Sequence, residues 1–304
     1  MRVTVTGGTG RIGSGVVEAL VRRGDEVSVL TRDPRRAAAR LPEGVTPVPW
    51  DPAAGPAPVE ALSGCAAVVH LAGEDVAQRW TSAAKRRIRD SREVGTRNLV
   101  AGIARADPRP AALVSGSAAG YYGPHGDEPV DESTPPGDDF LARVCVAWER
   151  EARQAEELGV RVAIVRAGVV LDAHGGALAK MLPFFRLGIG GPVAGGRQYL
   201  PWIHRDDEIG LLLAAIDAPS FSGPVNAAAP AAVTNAEFSK ALGRALRRPA
   251  IAPVPALAIR ALYGEMSAIV VTGVRMVPGR VPELGYAFRH PELEEALRSA
   301  LARP

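Results

Sequence analysis

The residues Thr6-Gly7-Gly8-Thr9-Gly10-Arg11-Ile12-Gly13 stand between a strand predicted over 3–6 and a helix predicted over 12–23. A glycine-rich turn at such a junction lets the backbone approach a ligand closely, and the N–H groups and dipole of the helix N-terminus attract an anion. A tight turn without a ligand is the alternative, but this turn opens a strand–helix–strand pattern, which favours the ligand. The stretch therefore predicts a pyrophosphate site that consists of Gly7, Thr9, Gly10, Arg11, Ile12 and Gly13.

The composition is typical of a soluble globular protein, with 304 residues, 47% hydrophobic and 23% charged. The net charge of +3 is too small to favour a nucleic-acid partner. Acidic residues follow the basic run over 85–89, so we interpret that run as a solvated helix face. Cys65 and Cys145 have no metal-ligand spacing, and we predict a reducing compartment and no metal site. Because neither a signal peptide nor a membrane-length apolar run is evident, we expect a cytoplasmic protein without a membrane partner.

Strand and helix patterns alternate through the first half of the chain. Apolar runs predict strands over 3–6, 26–31, 46–50, 66–71, 111–115 and 160–167. Helical periodicity predicts helices over 12–23, 38–41, 82–105 and 140–158. This alternation predicts an α/β fold, in which a Rossmann-type, doubly wound parallel sheet carries helices on both faces.

Glycine and proline become frequent after Gly168, and further helices are predicted at about 207–216, 235–246, 254–263 and 291–301. We predict a nucleotide-binding sheet domain over 1–168. A smaller substrate domain over 169–304 would cover the carboxyl ends of the strands, with some segments returning to the sheet.

The second predicted strand ends at Arg32, where an NAD-specific protein usually has an acidic residue that binds the ribose 2′-hydroxyl. Arg35 and Arg36 follow closely, and Arg11 lies in the glycine loop itself. Guanidinium groups bind phosphate through paired, charge-assisted hydrogen bonds. We therefore predict NADP(H) as the cofactor, with Arg32 and Arg11 at the 2′-phosphate. The alternative is that these arginines are surface charge.

Several other strand ends carry residues suited to a bound dinucleotide or to chemistry. His70 is expected to be a packed, hydrogen-bonded histidine. Hydroxyl groups after the fifth strand sit where open α/β sheets place their reactive groups, although an unreactive turn is a serious alternative. The cofactor candidates are Asp51 at the adenine edge, the residues Leu71, Ala72 and Gly73, and Ser115, and the reactive candidates are Ser117, Tyr121 and Tyr122.

Further motifs extend over essentially the whole chain. Together they resemble the extended short-chain dehydrogenase/reductase superfamily, and most closely its atypical, nucleoside-diphosphate-sugar epimerase-like branch with a C-terminal extension, here about 249–301. Beside the glycine loop, these motifs are His70-Leu71-Ala72-Gly73, Arg79-Trp80, Asp90-Ser91-Arg92 with Gly95-Thr96, residues 117–123 and 166–171, Trp202-Ile203-His204 with Asp206-Asp207, Asn226 with Pro230, Gly264-Glu265-Met266, and Leu284-Gly285-Tyr286 with Phe288-Arg289-His290-Pro291.

The resemblance implies a Rossmann domain that binds NADP(H), with the substrate held between it and the C-terminal domain. It implies that the segment from Arg166 to Leu171 lies beside the nicotinamide, with the backbone of Val169 at the carboxamide. We expect Asp206-Asp207 to cap the following helix. The residues expected on the substrate side are Trp80, Tyr199, Trp202 and Asn226.

The chain departs from the superfamily at its catalytic pair. The superfamily's Tyr and Lys lie four residues apart on the helix that begins here near Phe140, and the corresponding positions hold Leu141 and Cys145. Leucine has no proton to give, and a neutral thiol carries no charge that could lower the pKa of a phenol. An apolar helix position favours a buried, inert thiol at Cys145.

Two hypotheses from different classes follow. In the first, the protein is an NADP(H)-dependent oxidoreductase or epimerase of a small polar substrate such as a sugar nucleotide. Ser117 would then polarise a carbonyl group, and Tyr121 or Tyr122 would supply the proton. In the second, the protein binds NADP(H) without turnover, as a redox-responsive binding protein. We expect a monomer or a homodimer.

Overall fold

The computed structural model describes residues 1–302. Its strands are β1 Arg2–Thr6, β2 Glu26–Thr31, β3 Thr46–Pro49, β4 Ala67–His70, β5 Ala112–Ala118, β6 Pro129–Val130, β7 Arg161–Ala167, β8 Val169–Leu171, β9 Tyr199–Leu200, β10 Trp202–His204, β11 Gly223–Ala227, β12 Val233–Thr234 and β13 Arg275–Met276. Its helices are α1 Arg11–Arg22, α2 Pro34–Ala38, α3 Ser82–Arg105, α4 Phe140–Arg153, α5 Gly176–Arg186, α6 Arg205–Asp217, α7 Asn235–Leu246, α8 Ala256–Tyr263, α9 Ala268–Val271 and α10 Leu293–Ala302.

Seven parallel strands form the central sheet in the order β11-β7-β5-β4-β1-β2-β3. The order reverses beside β1, because β2 and β3 lie on one side of it and β4 on the other. This is the doubly wound arrangement, and it confirms the predicted Rossmann-type fold. All seven carboxyl ends meet at one edge of the sheet, where such folds bind their ligands.

Helices cover both faces of this sheet. On one face, α1 and α6 bury Leu20 and Leu211 against the strands. On the other face, α3 and α4 bury Leu99 and Ala152. The strands between the two layers are buried on both sides, which explains why they consist of continuous Val, Ala and Leu runs.

A smaller layer follows the sheet. The short strands β8 and β10 pair in parallel, and a separate apolar cluster joins them to α5, α7 and α10. Both β11 and α6 belong to the sheet and its helical layer although they come after Gly168. Within residues 1–302, no helix has the length and apolar character needed to cross a membrane.

Two predicted helices differ from the observed ones. The second helix covers 34–38 instead of 38–41, because the Asp33 side chain caps it by accepting from the Arg36 N–H, with Pro34 in its first turn. The fourth helix ends at Arg153, and a 3₁₀ turn then leads to Gly159, whose φ of 78° ends the segment in the left-handed region.

Candidate active site

The glycine loop brings three backbone segments into close contact. Gly7 has a φ of +70°, and a Cβ on it would lie 2.8 Å from the carbonyl carbon of Leu71. A Cβ on Gly13 would lie 2.2 Å from the Gly7 carbonyl oxygen, so only glycine fits there. Gly10 is the N-cap residue of α1 and has no side chain with which to cap the helix. The N–H groups of the first turn therefore face outward as donors for an anion.

A cleft of about 480 Å³ opens beside this helix N-terminus. The guanidinium of Arg11 is 54% exposed in the cleft and lies 3.9 Å from an Asp172 carboxylate oxygen. The Arg205 side chain donates to the Arg11 carbonyl oxygen over 3.1 Å. Uncapped N–H groups and two cations suit a phosphate-bearing ligand. The residues that line the cleft are Thr9, Gly10, Arg11, Ser14, Asp172, His174 and Arg205.

The two arginines predicted at the 2′-phosphate have different surroundings. Arg32 is exposed at the carboxyl end of β2, next to the exposed Arg35 and Arg36. It makes no ion pair within 4 Å to any residue in 1–302, whereas the charge of Arg11 is shared with Asp172. Arg32 is therefore the freer of the two cations.

His70 has the packed role that the sequence predicts. Its Nδ1 lies 2.7 Å from the Thr6 hydroxyl and its Nε2 lies 2.9 Å from the Thr96 hydroxyl. Burial, reinforced by the nearby Arg92 charge, lowers the pKa of His70 to about 4. The imidazole is therefore neutral at pH 7 and connects β1 and β4 to α3.

A buried polar network lies at the carboxyl ends of β5, β7 and β11. Arg166 donates to both carboxylate oxygens of Glu149 over 2.8 Å, and Ser117 donates to the same carboxylate over 2.7 Å. Arg166 also donates to the Tyr122 hydroxyl over 2.9 Å, and that hydroxyl donates to Asn226 Oδ1 over 2.6 Å. The register explains the grouping, since Ser117 and Asn226 both align with Arg166.

This network contains three of the predicted site residues, Ser117, Tyr122 and Arg166. Ser117 has one hydroxyl proton, and Glu149 already accepts it, so in this structure Ser117 cannot polarise a substrate carbonyl. Tyr122 is fully buried, and burial raises its pKa to about 12. Arg166, predicted beside the cofactor, is 2% exposed and has its charge compensated by Glu149.

Tyr121 differs from its neighbour. It is half-buried, and the Arg166 guanidinium carbon lies 3.5 Å from the centre of its ring. Gly120 packs against α4, where its Cβ would lie 3.2 Å from the Leu141 Cβ and 3.9 Å from the Cys145 sulfur. Tyr121 therefore follows directly on the contact with Leu141 and Cys145, the two residues that the resemblance aligns with the superfamily's Tyr and Lys.

Cys145 is a buried thiol, as the sequence predicts. It is 4% exposed, and burial raises its pKa to about 12. Leu141 lies one turn before it on α4. Neither residue therefore carries a charge at neutral pH.

The residues predicted on the substrate side fall into two groups. Trp202 is 1% exposed and donates from Nε1 to the Ala231 carbonyl oxygen, and Asn226 is fully buried, so both side chains are closed to solvent. Trp80 and Tyr199 are half-buried. The ring centres of Trp80 and Phe140 lie 5.0 Å apart in an edge-on contact. The guanidinium carbon of Arg275 lies 5.2 Å from the Tyr199 ring centre.

Three of the remaining predicted cofactor residues use their polar groups within the fold. The Asp51 carboxylate accepts from the Ala53 N–H over 3.0 Å. Ser115 is fully buried and donates to the Gly116 carbonyl oxygen. The Val169 N–H donates to the Pro201 carbonyl oxygen over 2.5 Å.

The acidic pair after β10 does not supply the helix cap. His204 is the N-cap residue of α6, since its Nδ1 accepts from the Asp206 N–H over 3.1 Å. Asp207 is buried and instead accepts from the Tyr286 hydroxyl and from the N–H groups of Arg289 and His290. This carboxylate fastens the C-terminal segment to the first turn of α6.

Sequence reasoning assigned no role to Arg92, Asp172 or Arg205. Arg92 stood in a quoted motif, but Asp172 and Arg205 become recognisable only once β8 and α6 are placed beside the glycine loop.

Comparisons with known proteins agree with this architecture. Residues 3–228 match the model of the NAD dependent epimerase/dehydratase family, and residues 254–300 match a domain of unknown function, DUF1731. The epimerase family protein MT2273 of Mycobacterium tuberculosis is 41% identical over 304 residues, which cover 99% of this chain and 98% of the relative. The chloroplastic SDR39U1 homologue of Arabidopsis thaliana is 40% identical over 310 residues, which cover 99% and 87%.

The crystal structure of the human epimerase family protein SDR39U1 (isoform 2) with NADPH matches over the full length of both chains. The TM-score is 0.89 and the sequence identity is 37%. The resemblance inferred from the motifs is thereby confirmed, including the C-terminal extension.

Proposed function

Because this chain belongs to the NAD dependent epimerase/dehydratase family, we propose that it is an NADP(H)-dependent oxidoreductase or epimerase. The proposed substrate is a small polar molecule, with sugar nucleotides as the first class to test. The observation that carries the proposal is the uncapped N-terminus of α1 at the glycine loop, with the exposed Arg32 at the end of the neighbouring strand. A relative that is 37% identical was crystallised with NADPH, which supports NADP(H) over NAD(H).

The cofactor residues are assigned from the order of the strands. The first-turn N–H groups of α1 would hold the pyrophosphate, and Arg32 at the end of β2 would bind the 2′-phosphate. Leu71, Ala72 and Gly73 follow β4 and leave room for the ligand to pass over the sheet. The nicotinamide half then extends towards the ends of β4 and β5. When bound, the cofactor supplies a hydride acceptor or donor.

Tyr121 is the proposed proton donor and acceptor for the substrate oxygen. It is the one of the three reactive candidates that is neither fully buried nor hydrogen-bonded into the network of Glu149 and Arg166. The guanidinium beneath its ring fixes the orientation of the phenol. Ser117 and Tyr122 would support the site from below through their hydrogen bonds in the buried network.

The substrate side is assigned to Trp80 and Tyr199, whose rings are half-buried. Trp202 and Asn226 would support that side from the interior. The division into a sheet domain over 1–168 and a substrate domain over 169–304 belongs to the same proposal, with β11 and α6 returning to the sheet.

A non-catalytic, redox-responsive NADP(H)-binding protein is the second candidate. The observation that favours it is that neither Leu141 nor the buried Cys145 thiol carries a charge at neutral pH. For either candidate we propose a cytoplasmic monomer or homodimer. The two free cysteines suit a reducing compartment, and the α3 arginines Arg86, Arg87 and Arg89 are exposed, as in a solvated helix face.

The cofactor assignment is tested with Arg32→Glu. The NADPH dissociation constant should rise about tenfold to hundredfold, because a charge-assisted hydrogen bond is replaced by repulsion. NADH affinity should change much less, and Arg40→Glu, a change at a neighbouring exposed arginine, serves as the control. Equal losses for NADPH and NADH would contradict the assignment.

Turnover is tested by following the absorbance of NADPH after addition of candidate substrates. These are sugar nucleotides with a keto group on the sugar, and simple carbonyl compounds. Tyr121→Phe should slow any consumption of NADPH and leave NADPH affinity unchanged. If no compound consumes NADPH although NADPH binds, the second candidate is favoured.

A further inference from the structure

Arg92 is a half-buried cation at the carboxyl end of β4. It projects from α3, and a Cβ on Gly73 would lie only 3.0 Å from its guanidinium carbon. The guanidinium carbon also lies 5.0 Å from the Trp148 ring centre. Its Nη1 donates to the carbonyl oxygens of Glu74 and Ile88 over 3.0 and 3.2 Å. These contacts hold the guanidinium against the backbone of Gly73, which is itself exposed.

Arg92 forms no ion pair in the described part of the chain, although the charges of Asp75 and Glu74 act on it from a longer distance. No carboxylate of residues 1–302 lies within 4 Å of it, and neither Nε nor Nη2 donates to another group of that range. Burial lowers the pKa of Arg92, although a guanidinium stays protonated at pH 7. By contrast, the buried Arg166 has a carboxylate as partner, and the half-buried Arg161 donates to three carbonyl oxygens.

A second donor at the same place is also unsatisfied. Trp148 is 6% exposed, and its Nε1–H has no partner in the described part of the chain. Buried donors without partners are uncommon, and each one requires an explanation. Arg92 and Trp148 therefore present spare N–H groups together, between α3, α4 and the end of β4.

The order of the strands places this pair on one side of the proposed cofactor site. Arg32 follows β2, the glycine loop follows β1, and Gly73 follows β4, with these strands adjacent in the order β2-β1-β4. A dinucleotide with its 2′-phosphate at Arg32 and its pyrophosphate on the loop must therefore extend its other half past Gly73. Arg92 stands behind that half.

The charge of Arg92 also acts on the Cys145 thiol, whose pKa it lowers against the larger, raising effect of burial. The thiol is neutral, and the resemblance aligns Cys145 with the superfamily's Lys, which is a cation. A positive charge is therefore present at this place, but it comes from α3 instead of α4.

We propose that Arg92 binds the nicotinamide-ribose half of NADP(H) through its spare N–H groups and supplies the positive charge that Cys145 cannot. The inference rests on the proposed cofactor and assigns no part in proton transfer to Arg92. The contact with the Trp148 ring and the two hydrogen bonds to carbonyl oxygens hold the guanidinium in place and leave its Nε and Nη2 donors available to the ligand.

The experiment compares two ligands on Arg92→Gln, which removes the charge and keeps a polar side chain. Adenosine 2′,5′-bisphosphate has the adenine half and the 2′-phosphate of NADPH but lacks the nicotinamide riboside. The dissociation constant of NADPH should rise about tenfold or more, and that of the bisphosphate should stay within about twofold. Arg92→Lys keeps the charge and should retain most of the NADPH affinity.

Arg87→Gln is the matched control, because Arg87 is an exposed arginine on the same helix. Equal losses for both ligands, or unchanged NADPH binding in Arg92→Gln, would overturn the inference. If the wild-type protein binds neither ligand, the proposed cofactor itself is wrong. Binding of NADPH by the wild type with an unaffected Arg92→Gln variant contradicts only the role of Arg92.

Discussion

Replacing Tyr122 by phenylalanine separates a structural tyrosine from a reactive one, because its neighbour Tyr121 provides a matched control. The Tyr122 hydroxyl donates to Asn226 Oδ1 over 2.6 Å and accepts from Arg166 over 2.9 Å. Both partners are buried, so phenylalanine would leave a carbonyl oxygen and a charged N–H without a partner or water.

The expected loss of stability follows from those two contacts. An unsatisfied buried acceptor costs about 1–3 kcal/mol, and a lost hydrogen bond to a charged group costs a similar amount. We therefore expect Tyr122→Phe to lower the free energy of unfolding by about 2–4 kcal/mol. At about 2 °C per kcal/mol for a chain of this size, the melting temperature should fall by about 4–8 °C.

The assay is urea denaturation followed by tryptophan fluorescence, with the transition midpoint and its slope measured for each variant. Tyr121→Phe keeps the ring over Arg166 and removes a hydroxyl that makes no hydrogen bond within residues 1–302, so its stability should change by less than about 0.5 kcal/mol. Equal stability of the two variants would refute the buried network. A stable Tyr122→Phe that loses turnover would move the reactive role to Tyr122.

Three further outcomes are expected. Gly13→Ala should abolish NADPH binding and destabilise the fold, since its Cβ would lie 2.2 Å from a carbonyl oxygen, whereas Gly55→Ala has nothing within 4 Å and should be neutral in binding and in thermal melting. Burial raises the pKa of Glu208 to about 8 in the folded protein. The free energy of unfolding should therefore be highest below the pKa of Glu208 in the unfolded chain. It should fall by up to about 1.4 kcal/mol per pH unit as the pH rises from there towards 8. Urea denaturation at pH 5 and pH 8.5 should show a smaller difference in the free energy of unfolding between the two pH values for Glu208→Gln than for the wild type. An equal difference in both proteins would contradict the role of Glu208. Cys145 should react with a thiol reagent only after unfolding, and Cys145→Ala should bind NADPH like the wild type, so rapid labelling of the native protein would disprove the burial.

Features set by local sequence were predictable. The glycine loop, the six predicted strands of the sheet and the long helix α3 follow from spacing and periodicity over a few residues. The N-cap of α2 could also have been predicted, because Asp33-Pro34 is a helix-start signal. The predicted helix nevertheless began at residue 38, four residues after the observed start.

The polar network was not predictable from local pattern. Ser117, Arg166 and Asn226 lie next to one another because β5, β7 and β11 are adjacent, and Glu149 comes from a helix between the first two strands. Residues so distant in sequence share no periodicity that would reveal their contact. Polar side chains at three strand ends therefore suggested ligand contacts. In the structure most of their hydrogen bonds join these side chains to one another.

The same contacts bear on the proposed reaction, for which the resemblance predicts no Tyr and Lys pair on α4. Gly120, the residue before Tyr121, packs on Leu141, and the charge of Arg92 acts on Cys145. The resemblance aligns Leu141 with the superfamily's Tyr and Cys145 with its Lys. A proton donor from the turn after β5 and a cation from α3 would then replace two groups that relatives carry on one helix. The two replacements are separable by experiment, because Tyr121→Phe should change turnover alone and Arg92→Gln should change NADPH affinity. If Arg92→Gln instead slowed turnover at saturating NADPH without weakening NADPH binding, the charge would act on the substrate and the assignment of Arg92 to the cofactor would be wrong.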